Sequence, residues 1–296
     1  MKHSIILIAL AMAISAHAQS KPDLQAHRGG RGLMPENSIP AMLHAVALGA
    51  RTLELDCVIS SDGQVVVSHD LFMNADIMSN PDGSTFPKDR EKSLTLYKMT
   101  YKEIAGYTEG GRPYPKFPEQ AAIVTHKPLL VDLIDSVEAY VKEHHLKPVY
   151  YNMETKSSPA GDDIYHPKPE RFVELLMGVI QSKGIASRVT IQSFDPRTLQ
   201  VLHRMDAGMV TALLVENKDG FAKNIERLGF TPTIYSPNYL LVNAELVKEA
   251  HDRKVAVLPW TVDEEKDMKM LADMGVDGII SDYPDRLVKL FGSYQQ

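Results

Sequence analysis

The feature that most constrains the fold of this chain is the alternation of short apolar, strand-like runs with longer amphipathic, helix-like runs. The strand-like runs are residues 24–26, 52–59, 65–67, 149–153, 189–191, 210–215, 234–236, 255–258 and 278–280. The runs with helical apolar spacing are residues 38–48, 170–183, 197–205, 221–228, 244–252, 264–273 and 284–291. Apolar strands that alternate with helices predict an α/β protein with a parallel sheet.

A closed barrel fits this alternation better than an open sheet. About eight strand–helix units in succession predict a TIM (β/α)8 barrel. No glycine-rich phosphate loop follows any of the strand-like runs, which argues against a doubly wound nucleotide-binding fold. The length of 296 residues suits one barrel, because this fold commonly occupies about 250 residues.

Residues 71–127 break the alternation. The segment is rich in Gly, Pro, Asn and Asp, and it contains the turn-forming runs 80–83 and 110–113. A structureless loop of this length would be unusual in a compact barrel, so we interpret it as a small inserted domain after the second strand. Because it directly follows His69 and Asp70, it is expected to fold over the end of the barrel that carries those residues.

The first eighteen residues have the pattern of a secretory signal peptide. Lys2 precedes an apolar run at 5–14 that is too short to span a bilayer, and a small-x-small triplet ends at Ala18. The alternative is a buried N-terminal helix, which the polar stretch 19–23 disfavours. We therefore predict cleavage after Ala18, a mature domain of residues 19–296, and a secreted or periplasmic location.

Composition excludes several classes of protein. Lys and Arg are scattered and the formal net charge is −6, so the sequence indicates no nucleic-acid partner. The single Cys57 excludes an intramolecular disulfide, and no segment after residue 18 is apolar enough for stable membrane insertion. The sequence does not determine the oligomeric state.

Three acidic residues form a candidate metal site. Glu54 and Asp56 are two apart in a strand-like run and therefore point to the same face. Glu154 ends another run, and TIM-barrel sites gather at the carboxyl ends of strands. Hard oxygen ligands favour Mg²⁺ or Ca²⁺ over zinc. Taken alone, Glu54 and Asp56 fit an exposed strand face better than a metal site, and it is Glu154 that favours the metal site. Lys156 can be either an anion ligand or an ion-pair partner of Glu154.

Two histidines follow strand-like runs. His27 comes directly after residues 24–26, and His69 follows 65–67, so both are expected beside the carboxylates and suit proton transfer near neutral pH. Arg28 offers a planar group for phosphate oxygens, and Gly29 and Gly30 are expected to let the backbone approach a ligand. No serine nucleophile motif is present, and Cys57 faces away from the carboxylates, so neither serine nor thiol chemistry is favoured.

The ordered motifs resemble those of the glycerophosphodiester phosphodiesterase family over most of the mature chain. In sequence order they are His27-Arg28-Gly29, Pro35-Glu36-Asn37-Ser38, Glu54-Leu55-Asp56, His69-Asp70, Glu154-x-Lys156, Gln192-Ser193-Phe194-Asp195, Trp260-Thr261-Val262 and the run 275–284. Each motif is weak by itself, but the full set in this order is specific.

The resemblance implies a role for each of these residues. It implies a TIM barrel with an insertion and one divalent cation held by Glu54, Asp56 and Glu154. His27 and His69 would be the acid–base pair that converts glycerophosphodiesters to glycerol 3-phosphate and an alcohol. The remaining roles are Arg28 and Lys156 on the phosphate, Phe194 and Trp260 as apolar walls or barrel packing, and Glu36 and Asn37 as hydrogen-bonding supports.

Two departures and two alternative functions stay open. The family often has a small aliphatic residue at Cys57 and usually Asn at Asp263, which here adds a charge near the mouth of the barrel. A sphingomyelinase-D-like lipid phosphodiesterase shares the barrel and the site, but would need an apolar membrane-facing rim. The third possibility, a non-catalytic binding barrel, is disfavoured by the intact histidines and carboxylates.

Overall fold

A computed structural model describes residues 21–296, so the predicted signal peptide lies outside the described residues. The strands are β1 Asp23–Ala26, β2 Thr52–Ile59, β3 Val65–Val67, β4 Met78–Ser79, β5 Thr108–Glu109, β6 Tyr150–Thr155, β7 Val189–Ser193, β8 Val210–Val215, β9 Ile234–Pro237, β10 Ala256–Val257 and β11 Gly278–Ser281. The α-helices are α1 Ile39–Leu48, α2 Tyr101–Ile104, α3 Leu130–Glu143, α4 Pro169–Ser182, α5 Pro196–Met205, α6 Phe221–Leu228, α7 Ala244–Asp252, α8 Glu265–Asp273 and α9 Pro284–Phe291. Within 21–296, no helix combines the length and apolarity needed to cross a bilayer.

Parallel strands form a nearly closed barrel in the order β10-β9-β8-β7-β6-β2-β1-β11. The two end strands meet through backbone hydrogen bonds. Asp277 N donates to Val257 O at 2.9 Å, and Ile280 N donates to Pro259 O at 3.0 Å. Helices follow the strands and cover the outside, as the alternation of runs predicts. The predicted TIM barrel is therefore confirmed.

The alternation along β2 separates the core from the site. Leu53, Leu55 and Cys57 point outward into the apolar layer between strands and helices, and all three are fully buried. Glu54 and Asp56 point into the barrel, since successive strand residues face opposite sides. Cys57 thus lies away from the carboxylates, as expected, and its burial raises the pKa of the thiol well above its ordinary value.

The run at 65–67 is a strand, but it is not part of the parallel ring. β3 pairs antiparallel with the outer end of β2, and Val67 lies opposite Cys57. β2 and β3 therefore form a hairpin that rises above the ring and returns towards it. His69 therefore follows this returning strand. The expectation that it lies at the carboxyl end of a barrel strand is wrong.

Helix α3 has no counterpart in the sequence analysis. Its buried residues are Leu130, Leu133, Ile134, Val137 and Val141, which follow helical spacing. The periodicity was thus present directly after the glycine- and proline-rich segment. The apolar face of α3 packs in the barrel's main core.

The segment between β3 and α3 contains its own small structure. Strands β4 and β5 form a two-stranded antiparallel sheet, and short 3₁₀ helices and α2 complete the segment. A second apolar cluster includes Met73, Met78, Phe86, Leu96 and Ile104. It also contains Val58 and Val66 from the hairpin, so the segment is anchored on the barrel. The domain boundaries at 71–127 stay a prediction.

Candidate active site

The three acidic residues of the predicted metal site lie together. The register of β2 with β6 places Asp56 beside Glu154, and Glu54 lies two residues earlier on the same face. One carboxylate oxygen from each lies within 4.8 Å of those of the other two. Glu54, Asp56 and Glu154 are 2%, 1% and 7% exposed, so the cluster is almost wholly removed from solvent.

The electrostatics of this cluster fit a divalent cation. Burial and the neighbouring Asp56 carboxylate raise the pKa of Glu54 well above its ordinary value. Burial also acts on Asp56, but Lys156 and Arg28 outweigh it and hold the pKa of Asp56 well below its ordinary value. Burial raises the pKa of Glu154 as well. Buried carboxylates that repel one another are stabilised by a cation, and an all-oxygen set suits Mg²⁺ or Ca²⁺.

Polar neighbours fix the orientation of two of the carboxylates. Glu54 accepts hydrogen bonds from the backbone N–H of Arg28 at 2.8 Å and from Gln192 Nε2 at 2.7 Å. Asn37 Nδ2 donates to Asp56 Oδ2 at 2.8 Å, and the backbone N–H of Asp56 donates back to Asn37 Oδ1 at 3.1 Å. Asn37 therefore has the supporting position that the sequence predicts.

His27 is held by a carboxylate from the opposite end of the chain. It follows β1 in a tight turn, and its Nδ1 lies 2.5 Å from Asp282 Oδ1. Because a carboxylate only accepts, Nδ1 is the protonated nitrogen and Nε2 is free, 4.0 Å from Glu54 Oε2. Burial lowers the pKa of His27 to about 4 against the opposing effect of Asp282, so the ring is neutral at pH 7.

The glycines after His27 let two helices pack closely against the turn. Gly29 has a φ of +79°, and a Cβ there would lie 2.8 Å from the Cβ of Ala41 in α1. Gly30 has a φ of +88°, and a Cβ there would lie 2.8 Å from Pro284 Cγ in α9. The expectation that the two glycines let the backbone approach a ligand stays a prediction. They let two helices close in on the turn that carries His27.

His69 is held in a similar way on the other side of the cleft. Its Nδ1 lies 3.0 Å from Asp70 Oδ1, and Asn74 Nδ2 donates to Asp70 Oδ2 at 2.7 Å. Burial alone would raise the pKa of Asp70, but the hydrogen bond and charge of His69 hold it well below its ordinary value. Both histidines thus have one nitrogen committed to an ionised carboxylate.

Arg28 and Lys156 lie against the acidic cluster. The Arg28 guanidinium donates to both oxygens of Glu36 at 2.9 and 3.0 Å, and its Nε lies 3.3 Å from Asp56 Oδ2. Lys156 Nζ lies 2.8 Å from Glu154 Oε1 and 3.6 Å from Asp56 Oδ1. Lys156 is therefore the ion-pair partner of Glu154, and both cations also line the cleft. Glu36 thus holds the Arg28 guanidinium through two hydrogen bonds, and its supporting role in the site stays a prediction.

A cleft joins these groups at the mouth of the barrel. Its lining contains both histidines, Glu54, Glu154, Phe194 and Trp260. The two aromatic rings meet edge to face, with centroids 5.3 Å apart. Trp260 Nε1 donates to Ser236 O at 2.8 Å, which fixes the indole, while Phe194 is 41% exposed. The pair forms an apolar wall opposite the charged groups.

Three further residues contribute to the site, although the sequence alone predicted no role for them. Gln192 orients Glu54, and Asp282 orients His27. Arg31 donates from Nε to Asp282 Oδ1 at 2.7 Å and lines the cleft. Gln192 directly follows the strand-like run 189–191, and Asp282 lies two residues after the run 278–280, so two of the three positions were indicated by strand ends. Their partners lie far away in sequence, so the pairing itself was not visible.

The mouth of this TIM barrel gathers buried carboxylates, two carboxylate-bound histidines and two cations, which are the groups that acid–base chemistry on an anionic substrate would need. The model of the glycerophosphoryl diester phosphodiesterase family matches residues 27–286, and the chain belongs to this family. A glycerophosphodiester phosphodiesterase of Bacillus altitudinis is 31% identical over 270 residues, covering 90% of this chain and 96% of the relative. The lysophospholipase D GDPD1 of Rattus norvegicus is 27% identical, covering 88% and 83%.

Solved structures show the same fold. A structure from Silicibacter pomeroyi DSS-3, provisionally assigned as a glycerophosphoryl diester phosphodiesterase, matches with a TM-score of 0.79 at 30% identity, covering 90% of this chain and 92% of that one. A phosphodiesterase of Oleispira antarctica, solved with the product sn-glycerol-3-phosphate, matches with a TM-score of 0.71 at 20% identity, covering 91% and 96%.

Proposed function

We propose that this protein hydrolyses glycerophosphodiesters to glycerol 3-phosphate and an alcohol. The observation that carries the proposal is one cleft lined by two carboxylate-bound histidines and by Glu54 and Glu154 of the acidic cluster. Family membership and the activity named for the Bacillus altitudinis relative support it. The product found in the Oleispira antarctica structure supports the same substrate class through the shared fold.

In this proposal one divalent cation, Mg²⁺ or Ca²⁺, is held by Glu54, Asp56 and Glu154. When bound, the cation supplies positive charge for a phosphate oxygen and relieves the repulsion among the three carboxylates. Gln192 and Asn37 keep two of these carboxylates oriented, and Lys156 limits the net negative charge beside the substrate.

The histidines move the protons. One imidazole takes the proton of the glycerol 2-hydroxyl as that oxygen bonds to phosphorus, and the other gives a proton to the departing alcohol oxygen as the P–O bond breaks. Water then opens the resulting cyclic phosphate to glycerol 3-phosphate, with the proton transfers reversed. The neutral ring of His27, with Nε2 free, suits the base of the first step.

The remaining cleft residues bind the phosphate and exclude water. Arg28 and Lys156 contact the anionic phosphate while their carboxylate partners hold them in place. Phe194 and Trp260 cover the apolar side and restrict water at the reacting atoms. Glu36 prevents Arg28 from collapsing further onto Asp56.

The test is a metal-reconstituted assay with glycerophosphocholine, glycerophosphoethanolamine, glycerophosphoglycerol and glycerophosphoinositol, with EDTA as the reverse control. We expect turnover of at least one substrate and its loss in EDTA. His27→Ala and His69→Ala should each lower kcat by about 10²- to 10⁴-fold, because each removes a proton-transfer group. His144→Ala, at the exposed end of α3, is the control and should retain full activity. Full turnover in both His27→Ala and His69→Ala would refute the acid–base assignment.

A lipid substrate is the second candidate, and exposed apolar side chains after the barrel strands favour it. Ile164, Phe194 and Leu240 are 47%, 41% and 76% exposed, and each follows the carboxyl end of a barrel strand. Tyr107 and Phe117 of the inserted segment do not add to this rim, because both are buried. Comparing soluble diesters with lysophospholipid, together with liposome binding, distinguishes the two substrates.

The proposed location is secreted or periplasmic. The support is the order of a basic start, the apolar run 5–14 and the triplet ending at Ala18. Mass spectrometry of the exported protein should give an N-terminus at Gln19. A chain recovered from the cytoplasm with its first residues intact would contradict this location.

A further inference from the structure

Glu109 and Lys127 lie together where the inserted segment meets the site. Glu109 ends β5 and exchanges backbone hydrogen bonds with Thr125. Glu109 N donates to Thr125 O at 2.8 Å, and Thr125 N donates to Glu109 O at 2.9 Å. Lys127 is two residues beyond Thr125, and its ammonium is near enough to act electrostatically on the Glu109 carboxyl.

Both charged side chains are almost completely buried and neither is fully satisfied. Glu109 is 3% exposed, and its Oε1 has no hydrogen-bond partner. Lys127 is 2% exposed, and among residues 21–296 its ammonium meets no carboxylate oxygen within 4.0 Å. Burying a charge without close pairing is costly, so this arrangement needs an explanation beyond stability.

The pair lies near Glu36 and Asp70, the two carboxylates that hold Arg28 and His69, because Lys127 acts electrostatically on both. Val67 N donates to Pro128 O at 2.9 Å, which ties Lys127 to the strand leading into His69 and Asp70. On the other side Gly110 packs on Pro35, beside Glu36, since a Cβ at Gly110 would lie 2.5 Å from Pro35 Cγ.

The charges that act on Glu109 come from three elements. They are the ammonium of Lys127, the carboxylate of Glu36 before α1 and the carboxylate of Asp70 after β3. Arg112, in the same inserted segment, donates instead to the carbonyls of Ala75 and Met78. Burial, reinforced by Glu36 and Asp70 and opposed by Lys127, raises the pKa of Glu109 to about 7.

We propose that Glu109 and Lys127 are positioning residues through which the inserted segment controls the site. When Glu109 is neutral, the Lys127 ammonium attracts the carboxylates of Glu36 and Asp70. This attraction weakens the ion pairs that Glu36 and Asp70 form with Arg28 and His69. When Glu109 ionises, it competes for the ammonium. Glu36 and Asp70 then bind Arg28 and His69 more strongly and draw them away from substrate. This inference rests on the proposed function and adds regulation of the same site.

The experiment compares pH profiles of kcat for the wild type and Glu109→Gln, from pH 5 to 9, with saturating metal and glycerophosphocholine. Gln keeps the shape of Glu but cannot ionise. We expect the profiles to coincide below about pH 6 and the wild type to fall at least about threefold below Glu109→Gln by pH 8.5. Lys127→Met should move that divergence to higher pH, because loss of the ammonium raises the pKa of Glu109. Lys127→Arg, which keeps the charge, is the control.

An independent readout uses NMR of enzyme labelled with ¹³C at glutamate carboxyl carbons. A resonance titrating near pH 7 should be present in the wild type, absent in Glu109→Gln and shifted upward in Lys127→Met. Superimposed kcat profiles, or a constant ratio across the pH range, would overturn the inference while leaving the proposed function intact. A wild type without turnover on any glycerophosphodiester would refute both.

Discussion

At the scale of single residues, the surroundings of each carboxyl group decide its charge. Asp282 faces His27 and Arg31, which outweigh burial and hold its pKa well below the ordinary value. The carboxylate of Asp263 accepts a hydrogen bond from the backbone N–H of Asp282, but among the described residues no cation lies as close to it as His27 and Arg31 lie to Asp282. Burial and the charge of Asp282 raise the pKa of Asp263 to about 6. The same residue type thus has opposite electrostatic properties within one loop cluster.

Asp263→Asn should stabilise the protein at pH 7. The folded pKa of about 6 lies above the ordinary 3.8, so the contribution of Asp263 to stability is greatest below pH 4 and is lost as pH rises through 6. The backbone N–H of Asp282 donates to Asp263 Oδ1 at 2.9 Å in the wild type, and the amide oxygen of Asn can accept the same hydrogen bond. Urea unfolding should show a higher free energy of unfolding for the variant at pH 7 and little difference at pH 4. Asp89→Asn, at an exposed position, is the control. An equal loss of the free energy of unfolding in Asp263→Asn at pH 4 and pH 7 would contradict the prediction.

At the scale of elements, a short local structure sets the position of the supporting residues. Ser38 caps α1 by accepting from Ala41 N at 3.2 Å, and its hydroxyl donates to Pro35 O at 2.7 Å. These bonds fix the turn that carries Glu36 and Asn37. Asn37 has a φ of +55°, a conformation that Asn tolerates better than most residues, and it reaches Asp56 from there.

Ser38→Ala should lower the free energy of unfolding by about 0.5–2 kcal/mol, the usual cost of losing an N-cap. It should also weaken activity, because Glu36 and Asn37 lose their fixed turn. The matched control is Ser182→Ala at the exposed end of α4, where the hydroxyl bonds only Val179 O. Chemical denaturation and steady-state kinetics measure both effects. A change no larger than that of Ser182→Ala would show that the cap is not needed.

At the scale of the whole molecule, closure of the barrel brings the ends of the chain together. His27 and Asp282 are 255 residues apart, and Glu54 and Gln192 are 138 apart, yet each pair is directly hydrogen-bonded. β1 pairs with both β2 and β11, which places the first and last strands side by side. The candidate site therefore exists only in the closed barrel.

Divalent cation should accordingly stabilise the entire fold. At a concentration about 100 times Kd, a ligand that binds only the folded state adds about 2.7 kcal/mol, which raises Tm. Glu154→Gln should abolish most of the rise by removing a ligand, whereas Glu174→Gln on the exposed face of α4 should keep it. Calorimetry with Mg²⁺, Ca²⁺ and EDTA measures the shift. Equal shifts in wild type and Glu154→Gln would place the cation elsewhere.

The sequence by itself determined the barrel and the identity of much of its candidate site. Apolar periodicity is a local property, so β8, α6, α7 and α9 match the predicted runs to the residue. The two-residue spacing of Glu54 and Asp56 put both on one face, and the strand end at Glu154 put it near them. The periodicity of α3 was equally local and was overlooked beside an irregular segment.

Only the tertiary structure decided how these groups are paired. The run 65–67 forms a hairpin strand, and Asp282 is hydrogen-bonded to His27. Gly29 and Gly30 allow helices to pack against the turn. The tertiary structure also buries Glu109 near Lys127. Strand direction, burial and charge partners depend on contacts between residues far apart in the chain. Spacing along one sequence carries no information on those contacts until the ring closes.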